Sequence, residues 1–382
     1  MKRRRVAIVG VGTTAFRSVS PDVSYRELTH EAAVKAYLDA GVEPKDIDGF
    51  VSCAEDLLEG YSISDEYAPD QLGAVLKPVQ TVPGDGIQGM ATALMMILTG
   101  QFDIIAVQAM SKASNMLTIP EMVNFGMDPV LNRPLGNIYH YVAALEMRRY
   151  MYETGVTKEQ CAKVVMKNRR NGLLNPIAGY GADLELASVL DSPVVSSPLN
   201  RLDISQHADG AVVLVLAAEE AIQRLTGQPV WIEGIGWMTD AASFESREWS
   251  GAPAVNLASK MAFKQAGMAP ADIDFAEIND EYSFKELQHI EALGLCAPGE
   301  AGYLLDAGET SILGSLPVNA SGGSLGVGHL FECSGSHSVS QVCNQLRGRA
   351  GAIQIKDVEV GLAQSWRGVP STTSSVVILA NS

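Results

Sequence analysis

The chain repeats itself once, and that repeat constrains its fold more than any single motif. Residues 33–51, AVKAYLDAGVEPKDIDGFV, resemble residues 259–277, SKMAFKQAGMAPADIDFAE. Ala40-Gly41, Pro44 and Asp46-Ile47-Asp48 fall on Ala266-Gly267, Pro270 and Asp272-Ile273-Asp274. Upstream of each copy runs a short apolar stretch ending in Gly-x-Gly, VAIVGVG from Val6 and VWIEGIG from Val230. Each unit predicts a strand, a helix stopped by Ala-Gly, a proline, and a second strand after Asp-Ile-Asp. Two such β-α-β units imply a duplicated α/β protein, with an N-terminal half over 1–225 and a C-terminal half over 226–382.

Further strands are expected at FDIIAVQAM, AVVLVLA, VGLAQSW and SSVVILA. MATALMMILTG (Met90–Gly100) is apolar nearly all round and reads as a buried helix, whereas SFKELQHIEALGL and SVSQVCNQLRG read as amphipathic ones. Between the strands of the first half, roughly 114–205, lies a Pro- and Gly-containing segment that reads as an inserted cap. Its Arg148, Arg149, Lys163, Lys167, Arg169 and Arg170 are either solvated helix faces or a basic rim for a phosphate-bearing ligand.

Composition narrows the partners. The formal net charge of −16 disfavours nucleic acid and anionic membrane surfaces. The cysteines are 5 in number, without a CxxC pair, so neither a disulfide framework nor a zinc knuckle is indicated. No stretch approaches the ~18 continuous apolar residues of a membrane span. MKRRRVAIVGVG breaks at Gly10 and Gly12 and reads as a first strand rather than a signal peptide. A cytoplasmic protein is expected. Gly10-x-Gly12 lacks the third glycine and the acidic residue of a dinucleotide site.

Three stretches carry a family resemblance: GSLPVNASGGSLGVGH (Gly314–His329), EINDEYSFKELQHIEALGLCAPGEAG (Glu277–Gly302) and NRLDISQHADGAVVLVLA (Asn200–Ala217). With the duplicated core, they resemble the thiolase superfamily, nearest its sterol-carrier-protein-type and archaeal branches. The resemblance implies an α/β thiolase fold: duplicated βαβαβαββ halves in a five-layered α-β-α-β-α core with an inserted loop domain. It also implies a coenzyme A thioester as substrate, with no permanently bound cofactor and no metal. A homodimer core is expected, joined by a small zinc-ribbon/OB-fold partner into a heterotetramer.

The chemistry departs from the family pattern. The stretch matching the nucleophile turn is TVPGDGIQGMATALMMILTG, where Pro83 or Gly86 stands in place of the cysteine. Glu281 replaces the second cysteine, and Ser365-Trp366-Arg367-Gly368 occupies its other possible position. What remains resembles the enolate-stabilising half of the site. His329 matches the family's active-site histidine and Asn279 an oxyanion-stabilising position. Gly84-Asp85-Gly86 offers backbone N–H groups at a helix start. VPGDGIQG resembles the turn of the lipid-transfer-protein-like steroid side-chain aldolases, although those carry a tyrosine where this chain has His329.

Each candidate has a structural alternative. Asn279 also reads as a helix cap, Asp85 as an Asx turn, and Glu281 as an acid at a helix start. Tyr282 reads as a core or a catalytic residue, and His207 as a core residue or cavity lining. Cys333, and less so Cys53, are either small buried residues or displaced nucleophiles; Cys161, Cys296 and Cys343 read as structural. The leading expectation is a retro-aldol lyase on a β-hydroxyacyl-CoA: His329 as base, Asn279 and the Gly84–Gly86 turn holding the enolate, and Arg148, Arg149, Arg169 and Arg170 meeting the CoA phosphates. The alternatives are a Claisen-type thiolase or acyltransferase with a displaced nucleophile, and a non-catalytic subunit of a heteromeric complex.

Overall fold

The repeated unit folds the same way twice. In the computed structural model, which describes residues 4–56, 63–136, 139–241, 243–368 and 372–382, Gly41 and Gly267 both end their helices in the left-handed region, at φ 72° and 69°. Asp48 Oδ2 accepts from the N–H groups of Asp103 and Ile104, and Asp274 Oδ2 from those of Glu359 and Val360. The repeated aspartate thus pins the start of a neighbouring strand in each half.

The strands, in chain order, are β1 (Val6–Thr13), β2 (Gly49–Cys53), β3 (Val79–Val82), β4 (Ile104–Lys112), β5 (Val194–Ser196), β6 (Leu199–Asn200), β7 (Asp209–Ala218), β8 (Val230–Thr239), β9 (Phe275–Glu277), β10 (Val360–Trp366) and β11 (Thr373–Ala380). Nine form one mixed sheet, β3-β2-β4-β7-β1-β8-β11-β10-β9, and β5-β6 is a separate ribbon. Read inward from each edge, β2, β4, β7 and β1 correspond to β9, β10, β11 and β8. The two halves meet where β1 pairs antiparallel with β8. A parallel bridge from Ala276 to Val318 stands where β3 would be in the second half.

Alternation along the strands makes the layers. Val212, Leu214 and Leu216 of β7 and Val377 and Leu379 of β11 share one core with the helices Gly86–Leu98 and Cys333–Leu346. These two helices therefore lie between the halves. Val213 and Val215 face the helix Tyr25–Ala40, while Val376 and Ile378 face the helix Pro253–Ala266. The order is helix, strands, helices, strands, helix, with the five-layered thiolase arrangement expected. Each fully buried Val, Ile or Leu contributes about 1.5–3 kcal/mol.

The Gly-x-Gly pairs permit close packing. A Cβ on Gly12 would lie 2.0 Å from Ala32 O, and one on Gly236 2.1 Å from Ala258 O, so helix rests on bare strand backbone.

Two expectations about helices need correction. The apolar Gly86–Leu98 helix leaves Met95 and Leu98 exposed, because only one side faces the central layer. The helix Ser283–Ala292 is no surface amphipath: Ser283 to Ile290 are all buried. The inserted segment covers its polar side, and Lys167 pairs with Glu286 at 3.1 Å. The helix Cys333–Leu346 is buried nearly throughout for a similar reason, being in the central layer. The insertion itself carries the helices Ile119–Phe125, Tyr139–Thr154 and Lys158–Leu174. Among the described residues no helix is long and apolar enough to cross a membrane.

Candidate active site

One cavity is walled by all three parts of the chain. The insertion supplies Ile119, Val123, Val142, Ala143 and Glu146, and His207 precedes β7. The second half supplies Arg247, Glu281, Tyr282, His329, Phe331, Trp366, Arg367 and Gly368.

His329 is held by its backbone. Its N–H donates to Gln206 O at 2.7 Å, and Ala208 N–H donates to His329 O at 3.0 Å. The turn before it is pinned by Asp280, which accepts from Ser324 and Leu325 N–H and from Asn168 Nδ2 at 2.7 Å. Gly323 sits at φ 55°, and a Cβ there would lie 2.4 Å from Asp280 Oδ2. Glu277 holds Ser321 of the same turn through its N–H at 3.0 Å and its hydroxyl. Burial pushes both carboxyls up to about 7.

The imidazole of His329 is buried, and its Nδ1 has no hydrogen-bond partner among the described residues. Burial, with the nearby Arg367 charge, depresses it to about 3, so it is neutral over the physiological range. A neutral imidazole carries its proton on one ring nitrogen and can accept another at the second. Its ring packs against Phe331 at 5.0 Å and His207 at 5.4 Å.

Glu281 also lines the cavity. Burial raises its carboxyl, opposed by the fields of His140 and Arg367. Tyr282, which read as core or catalytic, is buried and lines the cavity, and its hydroxyl lies 3.1 Å from His140 Nδ1.

Other expected positions are occupied otherwise. Gly84 N–H donates to Val82 O, and Gly86 N–H to Glu332 O, each at 2.8 Å, so neither is open to an oxyanion. Asp85 spans two helix starts: it accepts from Ile87 N–H at 2.8 Å and Gly335 N–H at 2.9 Å. It is buried and is not part of the cavity wall. Asn279 is spent locally too. Its Oδ1 accepts from Glu281 N–H at 3.1 Å and its Nδ2 donates to Trp366 O at 3.3 Å.

Cys333 and Cys53 lie in the central apolar core and not on the cavity wall. Burial beside Asp85 pushes the Cys333 thiol well up, the reverse of what a nucleophilic thiolate needs. The four arginines do not converge. Arg148 bonds Ser197 O at 3.0 Å, Arg149 pairs with Glu153 at 2.6 Å, and Arg170 stands 3.8 Å from Asp183, all at the surface. Arg169 is buried and donates to Tyr180 O at 2.9 Å, so it faces no solvent-borne phosphate.

Sequence reading passed over the charges that dominate the wall. Arg367 joins Glu55 at 2.8 Å and also Glu332. Lys285 and Arg247 share Glu146. Arg367 lay in the stretch noted for its missing cysteine; Arg247 had no local pattern to mark it.

Residues 236–381 match the family described as "Thiolase C-terminal domain-like". Over 379 residues the chain is 30% identical to the acetyl-CoA acetyltransferase of Methanothermobacter thermautotrophicus, spanning 97% of this chain and 98% of that one. It is 29% identical to the 17-hydroxy-3-oxo-4-pregnene-20-carboxyl-CoA lyase of Mycobacterium tuberculosis, over 96% of this chain and 98% of that one. Among solved structures, "Ltp2-ChsH2(DUF35) aldolase" superposes with a TM-score of 0.85 at 27% identity, covering 98% of this chain and 97% of that one. With the fold, the turn bearing His329 and these full-length similarities in agreement, the chain belongs to the thiolase superfamily.

Proposed function

We propose that this protein cleaves the Cα–Cβ bond of a β-hydroxyacyl-CoA in a retro-aldol reaction. The observation that carries this reading is the make-up of the cavity wall. Among the described residues it holds no cysteine or serine, but it does hold a histidine that burial keeps neutral. An acyl-enzyme needs a nucleophile; a retro-aldol step needs only a base and charge stabilisation.

His329 takes the β-hydroxyl proton and the oxygen becomes a carbonyl as the Cα–Cβ bond breaks. The bond's electrons pass to the thioester enolate, whose charge the Arg367 guanidinium offsets. Glu281, its carboxyl raised by burial, returns a proton to Cα. The products are a ketone or aldehyde and a shortened acyl-CoA. The aldolase and lyase named among the similar proteins support a lyase reading.

The surface arginines Arg148, Arg149 and Arg170 remain the proposed contacts for the CoA phosphates. The core is proposed to dimerise and to take a small zinc-ribbon/OB-fold partner into a heterotetramer. The pairing of Ltp2 with ChsH2(DUF35) in the similar structure supports a heteromeric assembly. The division into halves at 225/226, with the insertion over 114–205, is retained as the domain proposal.

The test uses the chain with its partner and a panel of acyl-CoAs, read by intact-protein mass and product analysis. Release of a ketone or aldehyde without a protein adduct is expected, and His329→Ala should lower turnover by about 100-fold or more while CoA still binds. An acyl adduct on Cys333 or Cys53 would overturn the lyase in favour of an acyltransferase. Neither adduct nor product would favour a scaffolding subunit.

A further inference from the structure

Arg247 lines the cavity, takes no part in the proposed chemistry, and has unmet hydrogen-bonding capacity among the described residues. Its side chain is 3% exposed, yet Nε and Nη1 have no hydrogen-bond partner among the described residues. Only Nη2 is engaged, with Glu146 Oε2 at 3.3 Å. A buried guanidinium with two idle nitrogens is costly unless something else completes it.

Its surroundings are fixed. Gln288 Nε2 donates to Ser250 O at 3.0 Å and Gly251 O at 3.2 Å, anchoring the loop that carries Arg247. The Trp249 ring lies 5.8 Å from the guanidinium carbon. The other oxygen of Glu146 is taken by Lys285, whose Nζ also donates to Gln288 Oε1 at 2.8 Å and sits 4.0 Å over Trp366. Two cations therefore share one carboxylate, each oxygen serving one of them. Glu281, the other carboxylate on the wall, feels His140 and Arg367 more strongly than Lys285. Around Arg247 the same cavity is apolar, through Ile119, Val123, Val142 and Ala143.

We propose that Arg247 is a specificity residue that receives a second carboxylate, carried by the acyl group of the substrate away from its thioester. The apolar walls hold the hydrocarbon between the two functions. The acyl carboxylate meets the idle nitrogens and makes the local set two cations with two anions. The cavity is then selective for dicarboxylic acyl-CoAs, because a plain alkyl end leaves Arg247 unpaired. This inference rests on the reading that the cavity takes an acyl-CoA.

The test is equilibrium binding by calorimetry to the protein with its partner. The ligands are CoA thioethers, which cannot react, over a series of chain lengths, ending in a carboxylate, a methyl ketone or a methyl group. The carboxylate should bind roughly 10- to 100-fold tighter than the methyl analogue of the same length. Arg247→Met should abolish that preference and Arg247→Lys should keep part of it. Equal binding of all three, tighter binding of the ketone, or no binding would each overturn the proposal. If Arg247→Met fails to fold, the wild-type preference alone decides. A carboxylate preference without lyase product would sink the retro-aldol reading only; lyase product without the preference would sink this inference only.

Discussion

Asp85 sits at the start of two helices at once, and its two accepted N–H groups come from residues far apart in the chain. Read in one dimension, Gly84-Asp85-Gly86 is equally an open oxyanion turn or a capped helix. The partner of its second oxygen, Gly335, cannot be inferred from neighbours. Asp85→Ala leaves two buried donors unpaired and should destabilise by ~2–4 kcal/mol, read as a shift in the urea midpoint. Asp85→Asn, which keeps an acceptor oxygen, should cost less. Unchanged stability with lost turnover in Asp85→Ala would instead mark Asp85 as catalytic. His329 was visible because a histidine closing a Gly-Val-Gly run resembles a family motif. Its burial was not, and burial sets its chemistry: with the imidazole depressed to about 3, protonation of His329 should place no acidic limb near 6.5 in the kcat/KM profile. A limb at 6.5 would mean a solvated histidine or another base.

At the scale of elements, the strands and the repeated helix stops were legible because they depend on local patterns. The Gly-x-Gly pairs show the limit of that. The pattern marked strand ends, but only the packed structure shows Ala32 O and Ala258 O pressing on the missing side chains. Gly12→Ala and Gly236→Ala should therefore each cost about 1–3 kcal/mol, and by similar amounts, measured as thermal unfolding of the two variants in parallel. A loss in one half only would show that the two contacts are not equivalent. The helix Ser283–Ala292 has polar residues at surface-like spacing, and hydrophobic periodicity cannot reveal that an insertion more than a hundred residues upstream folds over them. Lys285, Glu286 and His289 are fully buried as a result.

Across the whole molecule, ionisation opposes itself. Five of the 6 histidines, His140, His207, His289, His329 and His337, are held below their usual range by burial. The unfolded chain binds their protons first, so their contribution is present above pH 6.5 and is lost as pH falls below it. Glu277 and Asp280, raised to about 7 by burial, act the other way: their contribution is present in acid and is lost as pH rises through 7. The histidines acting alone would make the urea midpoint fall from pH 6.5 to pH 4.5, and Asp85, Glu281 and Glu291, whose carboxyls burial also raises, join Glu277 and Asp280 in opposing that fall. Glu277→Gln removes one opposing group, so its urea midpoint should fall more steeply than the wild type's as pH drops from about 7 to 4.5. The same pH slope in Glu277→Gln and wild type would contradict a raised Glu277 carboxyl.

The repeat, the strand alternation and the glycine-rich turns could be read along the chain, because they are set by interactions within a few residues or by a period. They were enough to expect a duplicated α/β protein; the layered fold and the candidates His329 and Glu281 followed from the family resemblance. The cavity was decided by the fold alone. Its walls come from segments remote in sequence, and the chain's turns decide which donors are already taken. Hence Gly84, Gly86 and Asn279 are spent on backbone partners, Cys333 is sealed in the core, and Arg367 and Arg247 face the cavity. Desolvation, which governs the ionisation of every group there, is a property of that enclosure and has no sequence period.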